Sequence, residues 1–360
     1  MEEKGKKGRM DYTLLLIVVL LVVIGLVILY STSAYNGQVK FHDSFYYLKQ
    51  AFATVLGIVL MLFVAGMDYH IWQRLAVFGY LAAVALSVAV MLFGREINGS
   101  KRWLALGPFS FQPSEFAKVA LILFLADLVT KNVKTIGKMW TLCRIMFWIL
   151  PIVGLVGASN LSTAIIILGI GVILIFVASP KYAQFALMGI AGACFMGIFL
   201  ALESYRLERL AIWRNPEKYE KGYQTLQGLY AIGSGGVFGV GIGNSVQKLG
   251  FVPEAQNDMI FSIICEELGL AGAGIIVFLF LLLIWRFFLI ASGSRDLFGA
   301  LIATGAMAHM MIQVILNIAV VTNTIPNTGI TLPFISYGGT SVMFLLIEMG
   351  LVLSVSQVVD

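Results

Sequence analysis

Residues 12–29 read YTLLLIVVLLVVIGLVIL, an apolar run without a charge or a proline. A bilayer core about 30 Å thick takes roughly 20 such residues as a helix, because a helix bonds its own backbone polar groups where no water can reach them. The basic stretch MEEKGKKGRM precedes it. The run is too long for a signal-peptide core and no small-residue cleavage site follows, so it reads as a retained first span. The rest of the chain repeats the pattern: of 360 residues 59% are hydrophobic and 12% charged, and the mean hydropathy is +0.93. A soluble domain has about a quarter of its residues charged. The alternating ten-residue segments of a membrane barrel are absent. The expectation is an all-α integral membrane protein, with no nucleic-acid partner.

Apolar segments fall at 12–31, 45–66, 75–94, 114–130, 144–158, 161–179, 184–203, 259–290, 298–320 and 340–356, which predicts about ten transmembrane helices. The pair on either side of Ser159 and Asn160 counts as two spans; as one, it would move every later loop to the other side. Lys4, Lys6, Lys7 and Arg9 before the first span, and Lys131, Lys134, Lys138 and Arg144 around the fourth gap, place both regions in the cytoplasm. Both termini are then cytoplasmic, and the outer loops are 32–44, 95–113, the turn near Asn160, 204–258 and 321–339. That face carries Arg95, Lys101, Arg102, Arg206, Arg209, Arg214, Lys218, Lys221 and Lys248. Attraction to an anionic ligand or lipid head group accounts for such an excess; a solvated loop surface is the plainer account. No repeat, linker or low-complexity tract divides the chain, so residues 1–360 read as a single polytopic domain with 204–258 as its large extracytoplasmic loop. Cys143, Cys194 and Cys265 are odd in number and lie in or beside apolar segments, which gives neither a disulfide framework nor metal-ligand spacing.

Three polar clusters interrupt the apolar pattern. In PEAQNDMIFSIICEELG, Asp258 stands where the long loop enters the eighth span, wetted on one side and desolvated on the other, a setting that moves a carboxylate towards the range of a general base. Glu254 precedes it by four residues, and Glu266 and Glu267 follow as membrane-buried acids that need a partner or a cavity. In NGSKRWLALGPFSFQPSEFAK, Gln112 to Glu115 reads as a helix start with Pro113 or Ser114 at the cap, and Glu115 and Lys118 share a helix face as an ion pair. In NTIPNTGITLPFISYGGTS, Pro333, Gly338 and Gly339 mark irregular backbone at membrane depth. Such backbone is tolerated where it is buried in protein or lines a wet cavity, and Ser336 and Tyr337 offer hydrogen bonds there. Gln313 and Asn317 lie one turn apart on the preceding span.

These three stretches, together with GYQTLQGLYAIGSGGVFGVGIGNSVQKLGFVPEAQNDM, closely resemble the FtsW/RodA/SpoVE family, the SEDS proteins of bacterial cell-wall growth, over nearly the whole chain. FVPEAQND and NTGITLPFISYGGTS are more similar to the division branch than to the elongation branch. The resemblance implies a peptidoglycan glycosyltransferase of the bacterial cytoplasmic membrane that polymerises lipid II on the outer face. It would work beside a class B penicillin-binding protein and other divisome or elongasome membrane proteins. The family's essential loop aspartate falls on Asp258. The implied substrate-binding set is Lys101, Arg102, Glu115, Lys118, Arg206, Arg209, Gln224, Glu254, Ser336 and Tyr337, with the cations gripping the diphosphate. A divalent cation, Mg or Mn, could share that task, held by carboxylate and phosphate because no His or Cys cluster exists. Where the family has His-Thr before the aspartate this chain has Gln256-Asn257; where it has Gln-Ser after GYQ, Gln227-Gly228; and its Gln-Pro-Asp turn is Ala158-Ser159-Asn160. The rival readings are a lipid II flippase and a non-catalytic scaffold of the wall-synthesis complex, neither of which needs a base.

Overall fold

A computed structural model describes residues 9–40, 44–97, 100–106, 109–186, 189 and 210–358. The helices α1 (Tyr12–Lys40), α2 (Ser44–Gly66), α3 (His70–Phe93), α4 (Pro113–Asn132), α5 (Met139–Ser159) and α6 (Leu161–Ala178) precede a short α7 (Tyr223–Ser234). Three more follow: α8 (Ile260–Gly293), α9 (Leu297–Val321) and α10 (Gly339–Ser356). Eight of the described helices are long and apolar enough to cross a membrane. The exception among the long ones, α4, carries Glu115, Lys118, Asp127 and Lys131 and is buried along most of its length in the middle of the bundle. Glu115, Lys118 and Asp127 are shielded by protein instead of facing lipid, and Lys131 is exposed at the end of the helix, paired with Asp127. Its N-cap is Gln112, one residue before the expected position, with Pro113 in the first turn.

The break at Asn160 is real. Its backbone is extended (φ −150°, ψ 90°), its N–H closes α5 on Val156, and its side-chain oxygen accepts from the Thr163 N–H at 3.2 Å to cap α6. Gly157 faces Ala164 and Gly171 faces Ile149, so α5 and α6 form an antiparallel hairpin. Close approach of α2 and α10 likewise depends on small residues, with Gly350 set against the Met61 carbonyl.

Hydrogen bonds sort the connections into two ends. At one end the Asp11 N–H donates to Ser356 Oγ, Ser354 Oγ to the Met67 carbonyl, Tyr69 to Asp296, and Gln184 to the Gly137 carbonyl. At the other, Arg102 Nε donates to the Ser159 carbonyl, Ser162 to Thr328, and Trp213 Nε1 to Asn323. Gln184 and Trp213 therefore sit at opposite ends and the chain changes ends between them. Most of the expected span 184–203 lies outside the described residues.

Two expected loops hold more structure than polarity alone foretold. Residues 95–111 contain a three-stranded antiparallel sheet, β1 (Arg95–Ile97), β2 (Ser100–Leu106) and β3 (Phe109–Phe111), with Arg95 opposite Trp103 and Leu104 opposite Phe111. Within 204–258, α7 is preceded by 3₁₀ turns at Pro216–Lys218 and Glu220–Gly222.

The glycine-rich part of that loop docks into a break in α8. Gly269 leaves the helix (φ +66°, ψ −170°), and loop partners replace the local helical bonds. The N–H groups of Leu270 and Ala271 donate to the carbonyls of Gly236 and Val237, while those of Val240 and Gly241 donate to Glu266 and Glu267. A side-chain carbon on Gly269 would lie 2.4 Å from the Gly239 nitrogen and 2.5 Å from the Val237 carbonyl. Gly269→Ala should therefore destabilise the protein by a few kcal/mol. Gly274→Ala, on the same helix with open space around it, should be neutral or slightly stabilising. Thermal unfolding of the two variants in one detergent checks the contrast.

Candidate active site

Asp258 ends the long loop two residues before α8 and is only 7% exposed. Burial raises its pKa to about 7, and the charge of nearby Glu254 adds to the shift. Its own amide, that of Met259 and the Gln224 side chain oppose it by donating to the carboxylate. Gln224, half-buried on the first turn of α7, places Nε2 at 3.4 Å from both Asp258 Oδ1 and the Pro253 carbonyl. Asn327 Nδ2 donates to Gln224 Oε1 at 3.2 Å, and the Gly329 N–H donates to Asn327 Oδ1 at 3.1 Å.

The loop bearing Asp258 is stitched to the segment between α9 and α10. Asn317 Nδ2 on α9 donates to the carbonyls of Asp258 (2.9 Å) and Ile330 (2.7 Å). Ser336 Oγ donates to the Asn257 carbonyl at 2.6 Å and accepts from the Leu332 N–H, and the Tyr337 N–H donates to the Gln256 carbonyl. Two of the three clusters seen in the sequence thus converge. Ser336 is consumed in holding them together: it is buried and its hydroxyl bonds backbone on both sides.

The third cluster joins them one layer deeper. Lys118 Nζ lies 3.1 Å from Glu115 Oε1 and 3.2 Å from Gln313 Oε1, and Ser341 Oγ donates to Glu115 Oε2 at 2.8 Å. Gln313 Nε2 donates to the Thr331 carbonyl, which fixes its oxygen towards Lys118 and towards His309 Nε2 at 2.9 Å. An amide oxygen only accepts, so His309 Nε2 carries a hydrogen. The other ring nitrogen lies 2.8 Å from Glu348 Oε2, where one proton must be shared. His309, Gln313 and Asn317 stand at four-residue intervals and line the inner face of α9. Their spacing was the available signal for His309; Glu348, the one acid on α10, had none beyond its burial in an apolar run.

The remaining expected site residues divide. Arg102 on β2 bonds the α5–α6 turn and lines a small cavity with Ser114, Ser159 and Asn160. Lys101, its neighbour on the strand, is exposed. Glu254 is exposed in a left-handed conformation (φ 55°) and accepts from Asn257 Nδ2. Arg206 and Arg209 lie outside the described residues. Lys248, counted among the outer cations, is instead buried against Glu267 Oε1 (2.7 Å) and Ser31, and Glu266 is bound by Ser245 and the amides of Val246 and Gln247. These two acids are packing groups for the glycine-rich loop. Among the described residues no group of three or more His, Cys, Asp or Glu side chains could hold a metal.

The model of the cell cycle protein family FtsW/RodA/SpoVE matches residues 12–360. Stage V sporulation protein E of Bacillus subtilis (strain 168) is 40% identical over 98% of both chains. A probable peptidoglycan glycosyltransferase FtsW of Trichlorobacter lovleyi is 35% identical over 96% of this chain and 93% of its own. Among solved structures, a chain from work on the coordination of polymerization and crosslinking by a peptidoglycan synthase complex superposes with a TM-score of 0.83 at 29% identity, covering 96% of this chain and 97% of that one. The rod shape determining protein RodA of Thermus thermophilus gives 0.72 at 28%, covering 96% of each chain. Sequence and fold agree along the full length, and the chain belongs to the FtsW/RodA/SpoVE family.

Proposed function

We infer that the protein is a peptidoglycan glycosyltransferase that polymerises lipid II at the outer face of the bacterial cytoplasmic membrane, serving division or cell-shape growth. The observation that carries the reading is Asp258. It is a carboxylate buried among amide donors at the end of the bundle where the long loops converge, and burial pushes its pKa up to about 7. A base near neutrality is what deprotonation of a sugar hydroxyl requires, whereas a flippase or a scaffold does not need one. Asp258 takes the proton of the acceptor hydroxyl, the oxygen attacks the anomeric carbon of the donor chain, and the bond to the lipid diphosphate breaks with its electron pair leaving on the diphosphate. Lys118 uses two of its three N–H donors on Glu115 and Gln313, which leaves one for an anionic oxygen. Lys101 and Arg102 stand at the same end of the fold as further anion contacts, and the same role is proposed for Arg206 and Arg209. A divalent cation, Mg or Mn, would add counter-charge for the diphosphate, whose own oxygens would supply much of its binding, as Mg²⁺ commonly uses substrate phosphates. A class B penicillin-binding protein is the proposed partner.

Asp258→Asn keeps the volume and removes the base. Purified protein given lipid II and a class B penicillin-binding protein should lose glycan polymer by roughly a hundredfold or more. Polymer at the wild-type rate would end the assignment. The linkage runs against stability: the folded-state pKa is raised, so the cost of ionising buried Asp258 is absent below its unfolded value and grows as pH rises to about 7. The same variant should therefore melt higher than wild type at and above neutral pH and equally at acid pH.

For Glu115 and Lys118, each charge reversal should cost about 3–5 kcal/mol, and combining Glu115→Lys with Lys118→Glu should not restore activity. Ser341 donates at the Glu115 position and Gln313 presents an oxygen at the Lys118 position, so the swapped charges meet the wrong partners. Polymer recovered in the double variant at equal membrane levels would remove Lys118 from the site.

Sidedness is checked with single cysteines in a cysteine-free background at Lys218 and Lys134, both exposed. An impermeant maleimide on intact cells should label the first and spare the second.

A further inference from the structure

The segment from Asn327 to Gly329 plays no part in the reaction as described, yet it borders Asp258. Gly329 adopts φ +69°, and a carbon on it would lie 3.9 Å from Asp258 Oδ2. Its N–H donates to Asn327 Oδ1. A backbone N–H can only donate, so this bond fixes the Asn327 oxygen towards Gly329 and turns the NH₂ away. The NH₂ donates to Gln224 Oε1, which leaves Gln224 Nε2 facing Asp258 Oδ1 and the Pro253 carbonyl. That carbonyl can only accept. A backbone donor at one end and a backbone acceptor at the other thus impose one polarity on two amides that are nearly symmetric in shape.

We propose that Asn327 is a positioning residue for the transfer reaction: acting through Gln224, it keeps an N–H, and not an amide oxygen, against Asp258. The proposal rests on the reading of Asp258 as the base. Reversed, the Gln224 amide would present its oxygen to the carboxyl group and stabilise the protonated form, which cannot accept the proton of a hydroxyl. Besides Glu254 on the same loop, the titratable groups on the elements packed around Asp258 are Tyr223 and Tyr230 on α7, Tyr337 on the α9–α10 segment, His309 on α9, which is bound to Gln313 and Glu348, and Cys265, Glu266 and Glu267 at the start of α8, whose two acids are bound in the glycine-rich loop. Asn327→Ser is a neutral test. A serine hydroxyl can still accept from the Gly329 N–H and keep the turn, but it is too short to reach Gln224.

The experiment measures initial polymerisation rates of full-length protein with lipid II and a class B penicillin-binding protein across the neutral pH range. Wild type, Asn327→Ser, Gln224→Met and the double variant are compared. The acid limb of the profile should move to higher pH by roughly half to one unit in Asn327→Ser, about the worth of one hydrogen bond to the carboxylate, with the alkaline plateau largely kept. Gln224→Met should move it the same way, and the double variant should go no further than Gln224→Met alone. An acid limb that stays in place in Gln224→Met overturns the relay whatever Asn327→Ser does, even if that variant fails to fold. So does a uniform loss of rate at every pH in Asn327→Ser with no shift of the limb, or shifts that add in the double variant. If wild type has no acid limb, or Asp258→Asn retains its rate, the base reading itself has failed and takes the relay with it.

Discussion

Carbonyl groups that leave a helix inside an apolar bundle must be met by donors, and in this fold two side chains on one helix meet them. Asn317 takes the carbonyls of Asp258 and Ile330 on one NH₂, and Gln313 takes that of Thr331. Leaving such groups unmet costs about 1–3 kcal/mol each. The irregular segment between α9 and α10 and the end of the long loop are therefore tied to the same stripe of α9. Everything proposed about the chemistry depends on that tie, because it holds the backbone of Asp258 without a charged partner for its carboxylate, which meets only neutral donors.

The two buried acids near this stripe show how surroundings separate roles. Glu115 has a cation at 3.1 Å and a hydroxyl at 2.8 Å and is matched in charge within the bundle. Asp258 has only neutral donors, with a like charge on Glu254. Both are carboxylates shielded from water, but the first is neutralised by Lys118 and the second is left able to change its protonation state. Such a division between a fixed and a titrating carboxylate suits a reaction in which one proton must be accepted and one charge must stay put.

Much of this was legible in the residues. The apolar runs give the helices, and an aspartate at the junction of a polar loop and an apolar span is conspicuous on its own. The pairing of Glu115 with Lys118 follows from helical spacing. What spacing cannot reveal is contact between distant segments: His309 and Glu348 are on different helices, and nothing local says that they meet. Lys248 looked like one more outer cation because its charge is visible in the sequence, whereas Ser31 and Glu267, which surround it, come from α1 and α8. The strands of residues 95–111 and the short α7 were hidden for a related reason, since polar loops and small surface elements share a composition. Asn327 is an ordinary turn asparagine until Gln224 is placed against it.

The break at Gly269 has a mechanical consequence. The helical segment 260–268 is held at one end through the Asp258 carbonyl and at the other by the glycine-rich loop, which clasps Glu266 and Glu267. At about 1.5 Å per residue it forms a strut roughly 13 Å long, too short to bend appreciably. Beyond its far end the same loop reaches the surface, where Phe238 is 84% exposed. The strut thus sets the spacing between the seat of the glycine-rich loop and the backbone of Asp258.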